Sequence, residues 1–352
     1  MLRRRFLVST LACGAAAALR PLVAASQDRP LSYADMHTHI GILGGRADVH
    51  GAMMRNGMLV IARKIVADGP VIRRFPGRGI QQVREPGPGE LAGRFDAAVE
   101  VIHKEHAAQG LVEITSAEVL QRVIAVAQPA VVLAAEGADC LDGDVQRLET
   151  ARRSGLIHLQ LVHYRVSEVG DISTERPRHG GLTAFGKEVV AACNRLGILV
   201  DVAHATSDGI AQALEISTKP MIYSHGHITS TAPYWTHGGV RARAIHAPLA
   251  KRIAQKGGVI GIWPLGSQYT SLDAYVRALL DTAEAIGAAH VGIGSDMFGL
   301  GGVTMIPGYE QFPQIEDMLV KRGLKTDEVR NIMGANYLRV LESALQVPAS
   351  PT

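Results

Sequence analysis

The chain has 352 residues, 47% hydrophobic and 20% charged, and 36 basic against 33 acidic side chains give it a formal charge of +3. This composition excludes collagen-like, coiled-coil and disordered chains, and the length allows one large domain or two small ones. The slight basicity is no sign of a nucleic-acid partner. Residues 1–25 hold four arginines and no acid, so the remainder carries about −1.

Arg3-Arg4-Arg5-Phe6-Leu7, an Ala-rich stretch, and Val23-Ala24-Ala25 before Ser26 read as a twin-arginine signal peptide over residues 1–25. Residues 26–352 are then expected to form one domain. Arg20-Pro21 interrupts the apolar run, which leaves it too short to span a membrane. Cys13, in Thr-Leu-Ala-Cys-Gly, stands where lipid could be attached, but Thr10 occupies the place of the expected Leu. The expected location is the periplasm or the medium, reached after folding in a reducing compartment. That route favours free thiols at Cys140 and Cys193 over the disulfides common in exported proteins.

Short apolar runs near 32–37, 57–66, 130–136, 156–163, 197–204, 220–225, 257–263 and 290–296 read as buried strands. Between them, apolar positions at three- and four-residue spacing predict helices at 94–108, 116–127, 142–154, 185–195, 207–216, 246–256, 271–287, 310–322 and 326–346. Glycines such as Gly57, Gly155, Gly197 and Gly257-Gly258 turn the chain from helix back to strand. Eight alternations imply an α/β fold, a closed (β/α)8 TIM-type barrel, with an open doubly wound sheet as the alternative. The segments 40–56, 67–92, 165–184 and 226–245 read as loops and candidate substrate-facing walls. All but 67–92 are expected to follow a strand end.

Six residues able to bind metal fall at the ends of these runs: His37, His39, Glu136, His204, His225 and Asp296. Their shared position points to a metal site on the C-terminal rim of the barrel. His37 and His39 are two apart and so share a face of an extended strand. Imidazole nitrogen suits zinc and related first-row ions. By itself the pair is a weak signal, since His225 and His227 repeat the pattern. Glu136 ends the run AVVLAA, where a carboxylate is costly unless it is paired or ligates a metal. It can serve two cations through its two oxygens. His204 and His225 end consecutive strands and can share an ion.

Several stretches resemble the renal or membrane dipeptidase family of metallopeptidases, family M19. These are Ala135-Glu136-Gly137 with Leu141-Asp142, Leu161-Val162-His163, and Gly181 through Gly186 continuing to Asn194-Arg195-Leu196-Gly197. Val200-Asp201-Val202-Ala203-His204, His290 through Asp296, and Asn336 through Val340 complete the set. The resemblance covers roughly residues 130–345. It implies an amidohydrolase-type barrel with two divalent ions, zinc in this family, that hydrolyses dipeptides or similar small N-acyl amino acids. By the same resemblance His37, His39, Glu136 and Asp296 in some combination would hold one ion, and Glu136, His204 and His225 the other. A hydroxide between the ions would attack, Asp296 would carry its proton to the leaving amine, and His163 would stabilise the oxyanion. A homodimer also follows by resemblance.

The chain departs from the family pattern in three places. Position 39 is His where the family has Asp, which makes the site one unit more positive. The stretch after His225 is longer, with Arg243 the best match to the family's carboxylate-binding arginine and Arg241 the fallback. Residues 40–128 resemble the family only faintly. These differences leave open a related barrel hydrolase acting on a lactone, cyclic amide or phosphoester, or a catalytically weak metal-binding barrel.

Overall fold

Eight strands follow one another around a single sheet in chain order. They are β1 (Tyr33–Thr38), β2 (Met58–Val66), β3 (Ala130–Glu136), β4 (Leu156–Gln160), β5 (Leu199–Asp201), β6 (Ile222–Thr229), β7 (Val259–Ile262) and β8 (Val291–Ile293). Each neighbouring pair is parallel. Beyond β8 the chain returns to β1. Asp296 N donates to His37 O and His39 N to Met297 O, each at 2.9 Å, and Thr38 bridges Met297. The result is the nearly closed TIM-type barrel expected from the alternating pattern. The computed structural model describes residues 32–347 except 44, 46, 232–239 and 300–303, and only the backbone of 240 and 241. Residues 1–25 with Cys13, and the Arg241 side chain, lie outside the described residues.

Local chemistry sets the helix ends. Thr183, Thr206 and Ser271 each accept a hydrogen bond from the backbone N–H three residues on, starting Ala184–Leu196, Ser207–Ile216 and Leu272–Ile286. Gly197 ends the first of these in the left-handed region, at φ 71°. Among the described residues no helix is long and apolar enough to cross a membrane. Cys140 and Cys193 are buried free thiols.

The barrel is filled in layers. Ala34, Val60, Ala130, Ile157, Leu199, Ile222 and Val259, all early in their strands, pack with Tyr337, Leu338, Val340, Leu341, Ala344 and Leu345. The last helix, Asn336–Leu345, therefore plugs the end where the strands begin. Above the plug lies a buried polar layer of Lys64, His158, Gln160, Asp201 and Ser224. The candidate metal ligands sit above that. Outside the sheet, strand residues such as Ile61, Leu159 and Ile260 pack on Phe95, Val189 and Ile253 of the surrounding helices.

The structure corrects several expected boundaries. Residues 40–56 contain the helix Val49–Asn56. Segment 67–92 directly follows β2 and holds an antiparallel hairpin, Ile72–Phe75 with Gly79–Gln82. It thus borders the rim that carries the candidate metal ligands. The helix expected at 94–108 begins earlier, at Glu90–Gln109. β6 runs past His225 to Thr229, and Ala244–His246 pairs alongside it. The helix expected at 326–346 is broken at Gly334, whose added Cβ would fall 2.6 Å from Ala34 N.

Candidate metal centre

Four of the six rim residues depend on backbone irregularities to face one another. In β1, Asp35 pairs with Ile61 and Thr38 with Arg63, so Met36 and His37 together oppose Ala62. This bulge turns two consecutive side chains inward, Met36 to the core and His37 to the rim. In β6, Ile260 pairs with Tyr223 and Ile262 with Gly226, so Ser224 and His225 together oppose Gly261. His204 and Asp296 lie three residues beyond β5 and β8, at φ 68° and 48°. Non-glycine residues in that region are uncommon and cluster at functional sites.

All four imidazoles aim Nε2 at Glu136. The distances to its oxygens are 3.4 Å from His37, 3.2 Å from His39, 3.5 Å from His204 and 3.9 Å from His225. His37 Nε2 is 3.2 Å from His39 Nε2, and His204 Nε2 is 3.2 Å from His225 Nε2. Two triads therefore share Glu136: His37, His39, Glu136 and Glu136, His204, His225. Donors bound about 2.0–2.1 Å from one ion at tetrahedral angles stand roughly 3.3 Å apart, so both triads fit a cation. Asp296 Oδ1 stands beside the first, 3.4 Å from His39 Nε2 and 3.6 Å from His37 Nε2.

A further cluster, His103, His106 and Glu113, lies at the strand-start end of the barrel. There both Nδ1 atoms approach Glu113 Oε1, at 2.7 and 2.6 Å. Those are hydrogen-bond lengths, short for two ligands of one ion.

The other ring nitrogen of each rim histidine is held. His39 Nδ1 is 2.8 Å from Lys64 O and His204 Nδ1 is 3.2 Å from His163 O. His37 Nδ1 and His225 Nδ1 both lie near Ser224 Oγ. Such partners fix tautomer and ring orientation.

Electrostatics match the donor set. Burial, then the repulsion a protonated His225 would add, holds His37 well below the usual imidazole range. Burial and Arg243 do the same to His204 and bring His225 to about 4. These three are neutral, as ligands must be. His39 differs. Burial alone would lower its pKa, but Asp296 and Glu136 outweigh it and raise it to about 10. Burial would likewise raise Glu136, and His163 and His37 reverse this and hold it well below the usual carboxylate range.

His163 joins the same wall. Its Nδ1 is 2.7 Å from Asp68 Oδ1 and its Nε2 is 3.4 Å from Glu136 Oε2. Arg243, 4% exposed, donates to Tyr164 Oη at 2.8 Å and lies 2.6 Å from His225 Nε2. Its guanidinium carbon sits 4.8 Å from the Trp263 ring centroid. Its Nε–H is buried with no partner among the described residues. A cavity of about 210 Å³ opens here, with Glu136, His163, Arg243 and Asp296 on one side and Val66, Ile72 and Ile80 on another.

Sequence reasoning brought together every rim residue, and also His163 and Arg243. It missed Asp68, Lys64, Asp201 and Ser224 as supports, and the hairpin within segment 67–92. Lys64 and Asp201 did leave a signal, since each is a charge inside an apolar run. Asp68 and Ser224 left none. His227, half of the second His-x-His, is half-buried and stands outside both triads.

The dipeptidase tcpJ of Claviceps purpurea is 28% identical over 242 residues, 66% of this chain and 55% of that protein. Dipeptidase 3 of Mus musculus is 28% identical over 234 residues, 62% of this chain and 45% of that protein. The chain thus spans about half the length of these relatives. A solved metallo peptidase from Rhodobacter sphaeroides, liganded with a phosphinate mimic of the dipeptide L-Ala-D-Ala, is 19% identical. It matches with a TM-score of 0.72 over 90% of this chain and 99% of that one. The probable dipeptidase PvdM of Pseudomonas aeruginosa is 17% identical, with a TM-score of 0.74 over 91% and 96%. At these identities the two solved structures bear on the fold alone. Residues 93–350 match the family model for membrane dipeptidase, peptidase family M19, a match that starts after His37 and His39. The chain belongs to the membrane dipeptidase family, peptidase family M19.

Proposed function

We propose that this protein is a metal-dependent hydrolase that cleaves the amide bond of a dipeptide or a similar small N-acyl amino acid, using two divalent ions. The observation that carries this reading is Glu136, shared by two triads of converging donors beside a buried arginine. His37 and His39 would hold one ion and His204 and His225 the other, with Glu136 available to both. Imidazole and carboxylate donors suit zinc and related first-row ions. When bound, such ions polarise a carbonyl oxygen and lower the pKa of water.

The protein's own groups do the rest. Arg243 receives the substrate's terminal carboxylate. Its Nη2 would be released from His225 once an ion engaged that ring, and the orphaned Nε–H supplies a second donor. His163, steadied by Asp68, offers Nε2 to the carbonyl oxygen as negative charge develops there. Asp296, beside the first triad, accepts a proton and returns it to the leaving amine.

The test compares dipeptides with their C-terminal amides, using wild type and Arg243→Met. Wild type is expected to favour the free carboxylate by roughly 100-fold in kcat/KM, and the variant to lose that preference. Preferential turnover of a lactone or phosphoester, with no effect of Arg243→Met on peptides, would reject the reading.

A further inference from the structure

We infer that Ser224 is a positioning residue shared by both triads, so that one hydroxyl couples the metal affinities of the two positions. This rests on the metal-binding reading above and adds a residue that touches no ion. Ser224 is fully buried. The β6 bulge turns it inward together with its neighbour His225. Its Oγ lies 3.2 Å from His37 Nδ1 and 3.0 Å from His225 Nδ1. One of those rings belongs to each triad.

Proton counting gives the consequence. A neutral imidazole carries one N–H, so an Nε2 that ligates an ion requires the proton on Nδ1. A hydroxyl oxygen has two lone pairs and can accept from both rings at once. When the Ser224 hydroxyl donates to one ring instead, that ring carries its proton on Nε2 and cannot ligate. The two ligand-competent tautomers therefore meet at one atom. The other two ligand rings have backbone partners, Lys64 O for His39 and His163 O for His204. Among the described residues Ser224 is the side chain that joins the two triads by hydrogen bonds.

Ser224 is itself held on two sides. Its N–H donates to Asp201 Oδ1 at 3.0 Å, and Asp201 is pinned by Lys64. Its carbonyl is approached so closely that a Cβ at Gly261 or Gly294 would fall 1.9 Å from the oxygen.

The experiment is a chelator-competition titration of the metal-free full chain with Zn(II) and with Co(II). Wild type, Ser224→Ala and Ser224→Cys are compared, and circular dichroism checks each fold. Both positions are expected to weaken together by roughly 10- to 100-fold in Ala and Cys alike. Cysteine fills the same space, but its sulfur is a weak acceptor. Unchanged affinities in Ser224→Ala, weakening at one position only, or a cysteine variant equal to wild type would each overturn the inference. If Ser224→Ala does not fold, Ser224→Cys alone decides it. A wild type that binds no metal would sink the metal-binding reading itself, whereas two occupied positions insensitive to Ser224 would sink only this inference.

Discussion

Lys64 Nζ lies 2.6 Å from Asp201 Oδ2, with both side chains fully buried directly beneath the candidate metal centre. The pair is not isolated. Asp201 Oδ1 accepts from Ala203 N and Ser224 N, His158 Nε2 lies 3.3 Å from Oδ2, and the Lys64 carbonyl faces His39. One ion pair thus braces four strands and the neighbours of three rim histidines.

Breaking that pair leaves a buried charge alone. Lys64→Met and Asp201→Asn are each expected to cost about 3–5 kcal/mol, read as a lower midpoint in urea unfolding. Burial alone would raise the Asp201 pKa, but Lys64 and then His158 outweigh it and hold it below the ordinary 3.8. A depressed folded-state value stabilises the fold above the unfolded pKa. This contribution is therefore complete above about pH 4 and is lost as pH falls further. Asp201→Asn should flatten the acid limb of the stability curve, and an unchanged limb would contradict the assignment.

His39 is expected to be a ligand that a proton occupies in the metal-free protein. Its pKa there is about 10, because Asp296 and Glu136 outweigh burial. Below pH 10 the metal must displace that proton, so apparent affinity should fall about tenfold for each unit of pH lowered. Calorimetry in buffers of different ionisation enthalpy would register the release. His39→Ala should abolish this proton and cut metal content, with His39→Asp restoring metal. Full metal content and activity in His39→Ala would remove His39 from the ligand set.

His163 and Asp68 are expected to act as a unit. His163→Ala should lower kcat by roughly 100- to 1,000-fold with little change in KM, as for loss of an oxyanion donor. Asp68→Asn keeps the imidazole but loses its carboxylate partner at 2.7 Å, and should cost about 10-fold. Steady-state kinetics at saturating metal separates this from lost metal binding. A change confined to KM would speak for substrate binding instead.

Ile72 and Ile80 form part of the apolar wall facing Glu136, His163, Arg243 and Asp296. They come from opposite strands of the hairpin, which is anchored by Val71, Leu91 and Tyr164. Ile80→Ala and Ile72→Ala should favour dipeptides with bulkier side chains over small ones by about 10-fold in kcat/KM ratio. A panel with unchanged rank order would show that the hairpin does not select substrate.

The barrel and its rim were legible in the chain because both signals are local. A buried parallel strand is a short apolar run, and a ligand at its end breaks that run with a polar residue. His37, Glu136, His204, His225 and Asp296 needed only this pattern to be singled out, and repetition around eight strands implied that they meet. Segment 67–92 was read as a plain loop because its hairpin, rich in Arg, Gly and Pro, has no such apolar run.

Where each side chain points was decided by the tertiary structure. Strict alternation along β1 and β6 would set Met36 and His37, or Ser224 and His225, on opposite faces. Bulges set by pairing with β2 and β7 turn both members of each pair inward. Register is a property of two strands together, so no single run of residues discloses it. The same holds for Asp68 beneath His163 and Lys64 against Asp201, pairs 95 and 137 residues apart. The sequence by itself therefore determined which residues reach the rim. Only packing between distant strands decided which nitrogen each presents and what holds it there.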